Sequence, residues 1–75
     1  MESVYRENVS RNIAAERVRL GMSREELATI IGKPAQVVEA WERGTGEPSL
    51  EDGVALSRVF GCSVDHLTER TVTRR

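Results

Sequence analysis

Apolar residues recur every three or four positions through most of the chain, and glycines interrupt this pattern at intervals. No segment of useful length alternates apolar and polar residues, so the pattern indicates amphipathic helices and argues against strands. Five helical segments can be delimited, which predicts an all-α fold class with one compact five-helix domain. The domain is predicted to cover residues 1–69, followed by a flexible basic tail at residues 70–75.

The first two segments have distinct ends. The first segment stops at Gly21, a residue suited to the left-handed conformation that often follows a helix, and its predicted inward face consists of Val9, Ile13 and Val18. The second segment begins at Ser23. Glu26 follows three residues later and completes a capping box, in which each side chain accepts from a free backbone amide of the other residue.

The third helix is predicted at residues 34–43, beginning at Pro34, because a missing N–H is harmless in a first helical turn. Val38 and Trp41 are its predicted inward residues, and Gly44 ends it. Two further serines, Ser49 and Ser63, are predicted to cap the fourth and fifth helices. The apolar residues assigned to the inward faces of these two helices are Leu50, Leu56, Val59, Phe60, Val64 and Leu67.

Composition narrows the possible functions. With 75 residues the chain has room for one modest core and little room for a large enzyme cleft. No apolar run approaches the roughly 20 residues of a membrane span and no signal-peptide pattern is present, so we expect a cytoplasmic protein. Lys and Arg number 11 against 12 Asp and Glu. This near-neutral balance counts against DNA binding, because nucleic-acid-binding domains are usually basic.

Candidate catalytic groups are sparse. Cys62 is the single cysteine, so it can form neither an internal disulfide nor a cysteine-rich metal site. His66 is the single histidine and is expected on a helix surface. Without a base for the cysteine, a glycine-rich phosphate loop or metal-ligand spacing, the chain is predicted to be no enzyme and to bind no metal or cofactor.

The second and third helices share the spacing of a helix-turn-helix. This motif needs apolar anchors, a small residue where the helices cross and a glycine in the turn. Ala28 is the small residue and Gly32 is the turn glycine, while the anchors are Leu27, Ile31, Val38 and Trp41. On spacing alone, any pair of antiparallel helices remains an alternative.

Beyond this motif, the stretch "RLGMSREELATIIGKPAQVVEAWERGTGEPSLEDGVALSRVFGCSVDHL" resembles the lambda-repressor-like (Cro/repressor, xenobiotic-response-element) family of helix-turn-helix domains. The resemblance extends from about Val9 to Leu67, and its most specific pieces are "SREELA", "WERG" before "PSL", and "FGCSVDHL". It implies a compact five-helix domain that binds double-stranded DNA. The second helix would cross the DNA backbone and the third would enter the major groove.

The resemblance also implies site residues. Base contacts fall on Ala35, Gln36 and Ala40, with Val37 beside them. Gln36 can bond bidentately to N6 and N7 of adenine, and the apolar residues can contact thymine methyl groups, so we hypothesise an A/T-leaning half-site. Phosphate contacts are expected at Arg24, Lys33, Arg43 and Thr45, although each could instead be an ordinary solvated residue. Arg17 and Glu42 are implied to form a structural ion pair between the first and third helices.

The chain departs from the family pattern at four positions. Lys33 replaces a frequent apolar residue. Pro34 stands where a Ser or Thr usually caps the third helix and contacts phosphate. Glu39 places a negative charge near the side of this helix that would face DNA. Gly53 replaces a customary leucine, and we hypothesise that its missing side chain leaves room for Trp41.

The sequence therefore predicts a DNA-binding transcriptional regulator, with repression as the favoured mode. One such helix contacts few bases, so we expect a homodimer on a palindromic operator. We expect the dimer surface on the last two helices, around Arg58, His66 and Thr68. The alternative is a protein-interaction or antitoxin-like module that has the same fold, binds a protein partner and has little DNA affinity of its own.

Overall fold

A computed structural model describes residues 4–68, which form five helices and no strand: α1 (Val4–Arg19), α2 (Arg24–Ile31), α3 (Ala35–Arg43), α4 (Leu50–Phe60) and α5 (Val64–Thr68). The predicted all-α, five-helix fold is confirmed. The predicted domain end at residue 69 and the basic tail at residues 70–75 lie outside the described residues. None of the five helices has both the length and the apolar character needed to cross a bilayer.

Capping boxes begin two of the helices. At α2, the Ser23 hydroxyl accepts from the Glu26 amide at 3.0 Å, and the Glu26 carboxylate accepts from the Ser23 amide at 2.7 Å. This box is the one predicted from sequence. At α4, Ser49 and Asp52 form a second box with distances of 3.1 and 3.2 Å. Both boxes satisfy amides that the first turn of a helix leaves unpaired.

The start of α3 differs from the prediction by one residue. Pro34 has φ −66° and ψ 149°, which is extended backbone, so Pro34 precedes the helix and Ala35 is its first residue. No side chain caps this end. The reason is chemical, because the proline side chain has no oxygen that could accept from the free amides. Only the backbone carbonyl of Pro34 accepts, from the Val37 amide at 3.0 Å.

One apolar core joins all five helices, and its buried members are Val9, Ile13, Leu27, Ala28, Val38, Trp41, Leu56, Phe60 and Leu67. Two of the predicted inward residues are wrong, because Val18 is 64% exposed and Leu50 is 77% exposed. Val18 lies five positions after Ile13, which at about 100° per residue turns it away from the core. Leu50 is the first residue of α4 and lies at the edge of the packed region.

Polar side chains of α1 hold α5 in place. The side-chain amide of Asn12 donates to the carbonyls of Leu67 at 2.9 Å and His66 at 3.1 Å. Asn8 donates to the carbonyl of Thr68 at 3.3 Å. These bonds satisfy carbonyls that the end of a helix leaves free. A five-residue helix is thereby tied to the domain by its backbone as well as by Leu67.

Two expectations about single residues are wrong. His66 is half-buried, not a free surface residue, because its Nε2 lies 3.2 Å from the Glu16 carboxylate of α1. Gly53 makes no room for Trp41, since no atom of the indole lies within 4 Å of the point where a β-carbon on Gly53 would be. The surroundings of both residues depend on how the helices pack in three dimensions.

Candidate nucleic-acid interface

A three-residue turn joins α2 to α3 at a fixed angle. Gly32 adopts φ 73° and ψ 36°, the left-handed region that side chains other than glycine rarely adopt. In this conformation the Lys33 amide donates to the carbonyl of Ala28 at 2.9 Å, which closes the end of α2. Ala28 is itself buried. Its single methyl group lets the two helix backbones approach closely.

The third helix has two sharply different sides. Val38 and Trp41 are buried, whereas Gln36 and Arg43 are exposed. At about 100° per residue, Gln36, Ala40 and Arg43 lie on the side opposite the buried pair. The side of α3 that is free to contact a partner therefore combines an amide, a methyl group and a guanidinium with the carboxylate of Glu39, which is 47% exposed and pairs with Arg43.

The four residues predicted to contact bases do not all lie on this open side. Gln36 is exposed and Ala40 is half-buried. Ala35 and Val37 are also half-buried, and both pack against the core. Gln36 is thus the single member of this set with an exposed polar side chain.

The loop after α3 folds back on the end of the helix. The backbone amide of Thr45 donates to the carbonyl of Ala40 at 3.0 Å, and its hydroxyl donates to the same oxygen at 3.3 Å. A β-carbon on Gly46 would lie 3.7 Å from the β-carbon of Ala40. Because this loop lies so close to Ala40, a partner has less space at Ala40 than at Gln36 on the open side of α3.

Each predicted phosphate-binding cation has a carboxylate partner in the free protein. The pairs are Arg24 with Glu42 at 3.0 Å, Lys33 with Asp52 at 3.2 Å, and Arg43 with Glu39 at 3.1 Å. Sequence reasoning missed the first two pairs, because the partners are far apart along the chain and meet only when the helices pack. The third could have been found, since residues four apart share one side of a helix.

The Asp52 carboxylate serves both the turn and the start of α4. Burial raises its pKa, but hydrogen bonds from Ser49 and Lys33 outweigh burial and hold the pKa of Asp52 below its ordinary value. Asp52 is therefore charged at neutral pH and attracts the Lys33 ammonium. This pair ties the helix-turn-helix turn to α4.

Arg17 and Glu42 form a bidentate ion pair between α1 and α3. Two guanidinium nitrogens of Arg17 lie 2.7 and 3.1 Å from the two Glu42 oxygens, and its third nitrogen donates to the carbonyl of Met22 at 2.7 Å. The hydrogen bond to Glu42 raises the pKa of Arg17, against the effect of burial. The Ser10 hydroxyl also donates to the backbone carbonyl of Glu42. The end of α3 is thereby fixed to α1 by side chain and backbone.

Comparison with known proteins agrees with this geometry. A family model described as helix-turn-helix matches residues 13–67. The structure is similar to a hypothetical transcription factor from Neisseria, with 27% identity and a TM-score of 0.82, and the match covers 88% of this chain and 76% of that one. It is also similar to the clp gene regulator ClgR from C. glutamicum, with 26% identity and a TM-score of 0.77, covering 88% and 86% of the two chains.

An enzyme also contains a similar structure. Hydroxypropylphosphonic acid epoxidase from S. wedmorenis matches with 26% identity and a TM-score of 0.81. The match covers 91% of this chain but only 36% of the epoxidase, so the similarity is confined to a minor part of that enzyme. No curated protein matches the chain in sequence.

Proposed function

Because the chain belongs to the helix-turn-helix family of lambda-repressor-like domains, we propose that it is a sequence-specific transcriptional regulator that binds double-stranded DNA through α3. The observation that carries the proposal is the two-sided character of this helix. Val38 and Trp41 anchor one side in the core, and the other side presents Gln36 to solvent. Helices of this kind read base edges in the major groove.

Gln36 is the proposed base reader. Its amide can donate to N7 of adenine and accept from N6, and a bidentate contact of this type contributes about 1–3 kcal/mol of discrimination against other bases. Ala35, Val37 and Ala40 would contact thymine methyl groups at the edges of the same site. An A/T-leaning half-site follows from this combination.

The proposed backbone contacts are Arg24, Lys33, Arg43 and Thr45. The Arg43 side chain is 67% exposed and that of its partner Glu39, on the same helix, is 47% exposed, so a phosphate can replace the carboxylate at little cost. Thr45 contributes only if its hydroxyl rotates away from the carbonyl of Ala40. Because the cations are few and paired, we expect a shallow salt dependence for each protomer.

The regulator is proposed to act as a homodimer on a palindromic operator, with repression as its mode. One α3 helix contacts too few base pairs to select a genomic site, and two half-sites about one helical turn apart supply the missing specificity. Arg58 is exposed on α4 and is the proposed centre of the dimer surface. His66 and Thr68, by contrast, are partly buried against α1.

A second candidate function is favoured by one observation. An open groove between the end of α1 and α2 is lined by the apolar residues Leu20, Met22 and Ile30 and by two carboxylates, Glu25 and Glu26. Ile30 is 56% exposed, an unusual position for a large apolar side chain. Such a groove suits a protein partner, so a protein-interaction or antitoxin-like module remains the alternative.

In-vitro selection from random duplex DNA tests the proposed function. We expect the purified protein to enrich an inverted repeat, and we expect Gln36→Ala to lose the preference for adenine at one position of each half-site. Thr29→Ala, on the exposed side of α2, is the matched control and should select the wild-type motif. Failure to enrich any motif at low salt would contradict the proposal and favour the protein-interaction module.

A further inference from the structure

Glu42 binds two arginines at once. Its Oε2 accepts from Arg17 at 2.7 Å, and its Oε1 accepts from Arg17 at 3.1 Å and from Arg24 at 3.0 Å. Only 3% of the Glu42 side chain is exposed. A buried carboxylate at the end of α3 therefore connects the end of α1 to the first residue of α2.

The two arginines differ in how many of their guanidinium nitrogens form hydrogen bonds within the fold. Arg17 is 14% exposed, and all three of its guanidinium nitrogens bond to Glu42 or to the carbonyl of Met22. Arg24 is 47% exposed and donates to Glu42 through Nε alone. Its two terminal nitrogens bond to no group within residues 4–68, so they are available to an anion outside the fold.

We propose that Glu42 is a positioning residue for DNA binding, which holds Arg24 so that its two terminal nitrogens meet a backbone phosphate. The inference rests on the proposed DNA-binding function. A free arginine loses much rotamer freedom when it binds a phosphate, whereas Arg24 is already oriented in the free protein. Arg17 offsets the charge of Glu42, and the carboxylate of Glu25 lies close enough to raise the pKa of Arg17. The contribution of Arg24 therefore comes from its fixed orientation and not from a local excess of positive charge.

The other cations near α3 lack this arrangement. Arg43 is 67% exposed and its partner Glu39 is 47% exposed, and a solvent-accessible pair of this kind is weak and easily exchanged. Lys33 has a single nitrogen, which its contact with Asp52 already occupies in part. Arg24 alone among the three combines a buried carboxylate partner with two unused donors in the planar geometry that matches a phosphate.

A sign test separates positioning from simple electrostatics. Neutralising a carboxylate near DNA should strengthen binding if only charge matters. If Glu42 positions Arg24, Glu42→Gln should instead weaken binding by about tenfold, the usual effect of losing a charge-assisted hydrogen bond. Glu39→Gln removes a carboxylate from the same helix without touching Arg24. We expect this matched control to bind DNA as tightly as wild type or more tightly.

The experiment measures fluorescence anisotropy of a labelled duplex over a range of KCl concentrations, with circular dichroism to confirm that each variant is folded. Arg24→Ala should lower the slope of log affinity against log salt by about one. Arg24→Lys keeps the charge and lies on the surface, so it folds whatever happens to Glu42→Gln. We expect Arg24→Lys to bind as weakly as Arg24→Ala, because an ammonium cannot bond Glu42 and present two further donors in one plane.

The possible results distinguish support for the inference, its failure, and failure of the proposed DNA-binding function. Weaker binding by both Glu42→Gln and Arg24→Lys, with little further loss when Arg24→Ala is added to Glu42→Gln, supports the inference. Wild-type affinity in Arg24→Lys, or tighter binding in a folded Glu42→Gln, overturns it while DNA binding stands. If the wild-type protein binds no duplex even at low salt, the proposed function itself has failed.

Discussion

Gly53 of α4 lies opposite Val64 of α5, and a β-carbon built on Gly53 would lie 4.0 Å from the Cγ1 of Val64. This is an ordinary van der Waals distance, and no other atom from a neighbouring element lies within 4 Å of that point. A small cavity of about 30 Å³ borders the same position, lined in part by Val9 and Leu67. Packing therefore does not require a glycine here.

We expect Gly53→Ala to stabilise the protein by about 1 kcal/mol, because glycine inside a helix loses more backbone freedom on folding than alanine does. Urea denaturation measures the change. Gly21→Ala is the matched control, since Gly21 has φ +71° and a side chain there is strained; it should destabilise. A less stable Gly53→Ala protein would show that the space near Val64 is tighter than the distance indicates.

Loss of either capping box should weaken the fold. We expect Ser23→Ala and Ser49→Ala each to lower the free energy of unfolding by about 1 kcal/mol, because an amide of the first turn loses its acceptor. Thermal unfolding followed by circular dichroism should show a Tm lower by roughly 4–8 °C for a domain of this size. Ser23→Gly should cost less than Ser23→Ala, and the reverse order would argue against capping as the cause.

The attachment of α5 depends on Asn12. Replacing it by leucine keeps a similar volume but leaves the carbonyls of His66 and Leu67 without their donor, so we expect a loss of about 2 kcal/mol. Hydrogen exchange should show faster opening of α5 before the rest of the domain. Asn8→Leu removes one longer bond and should have a smaller effect. Equal effects at both positions would point to general packing.

Glu16 should make the fold sensitive to acid. Burial raises its pKa, but hydrogen bonds from Arg19 and His66 outweigh burial, and the pKa of Glu16 lies below its ordinary value of 4.5. The unfolded chain then binds a proton more readily than the folded protein. The stabilisation by Glu16 is complete above a pH of about 4.5 and is lost as the pH falls through the folded-state pKa.

Urea titrations at pH values from about 6 to 3 measure this loss. Glu16→Gln should be less stable than wild type at pH 6, and the difference should shrink in acid. Glu51→Gln is the control, because Glu51 is exposed. A difference between wild type and Glu16→Gln that stays constant with pH would show that the Glu16 carboxylate is not the group responsible.

Local features of the fold could be predicted from sequence. The box of Ser23 and Glu26 and the turn at Gly32 depend on residues within a few positions of one another, and the backbone there has few alternatives. The burial of Val38 and Trp41 follows from their spacing along one helix. The helix-turn-helix was therefore visible in the sequence together with its buried side.

Features that depend on helix packing were not visible. Glu16 meets His66 across 50 positions of sequence, and Glu42 meets Arg24 across 18. The sequence analysis did not predict either contact, because the partners meet only when the helices pack. The inward orientation predicted for Val18 was also wrong. Val18 lies five residues after Ile13, which places it on another side of the helix, and the sequence pattern alone does not define the buried side of α1 narrowly.

The two-sided character of α3 also separates two kinds of evolutionary constraint. Val38 and Trp41 hold the helix in the domain and contribute nothing to its open side, whereas Gln36 and Arg43 contribute little to the core. Substitutions on the open side can therefore accumulate without loss of stability. On the proposed function, substitutions at a few positions of the open side would change the DNA sequence that α3 recognises and leave the core of the domain unchanged.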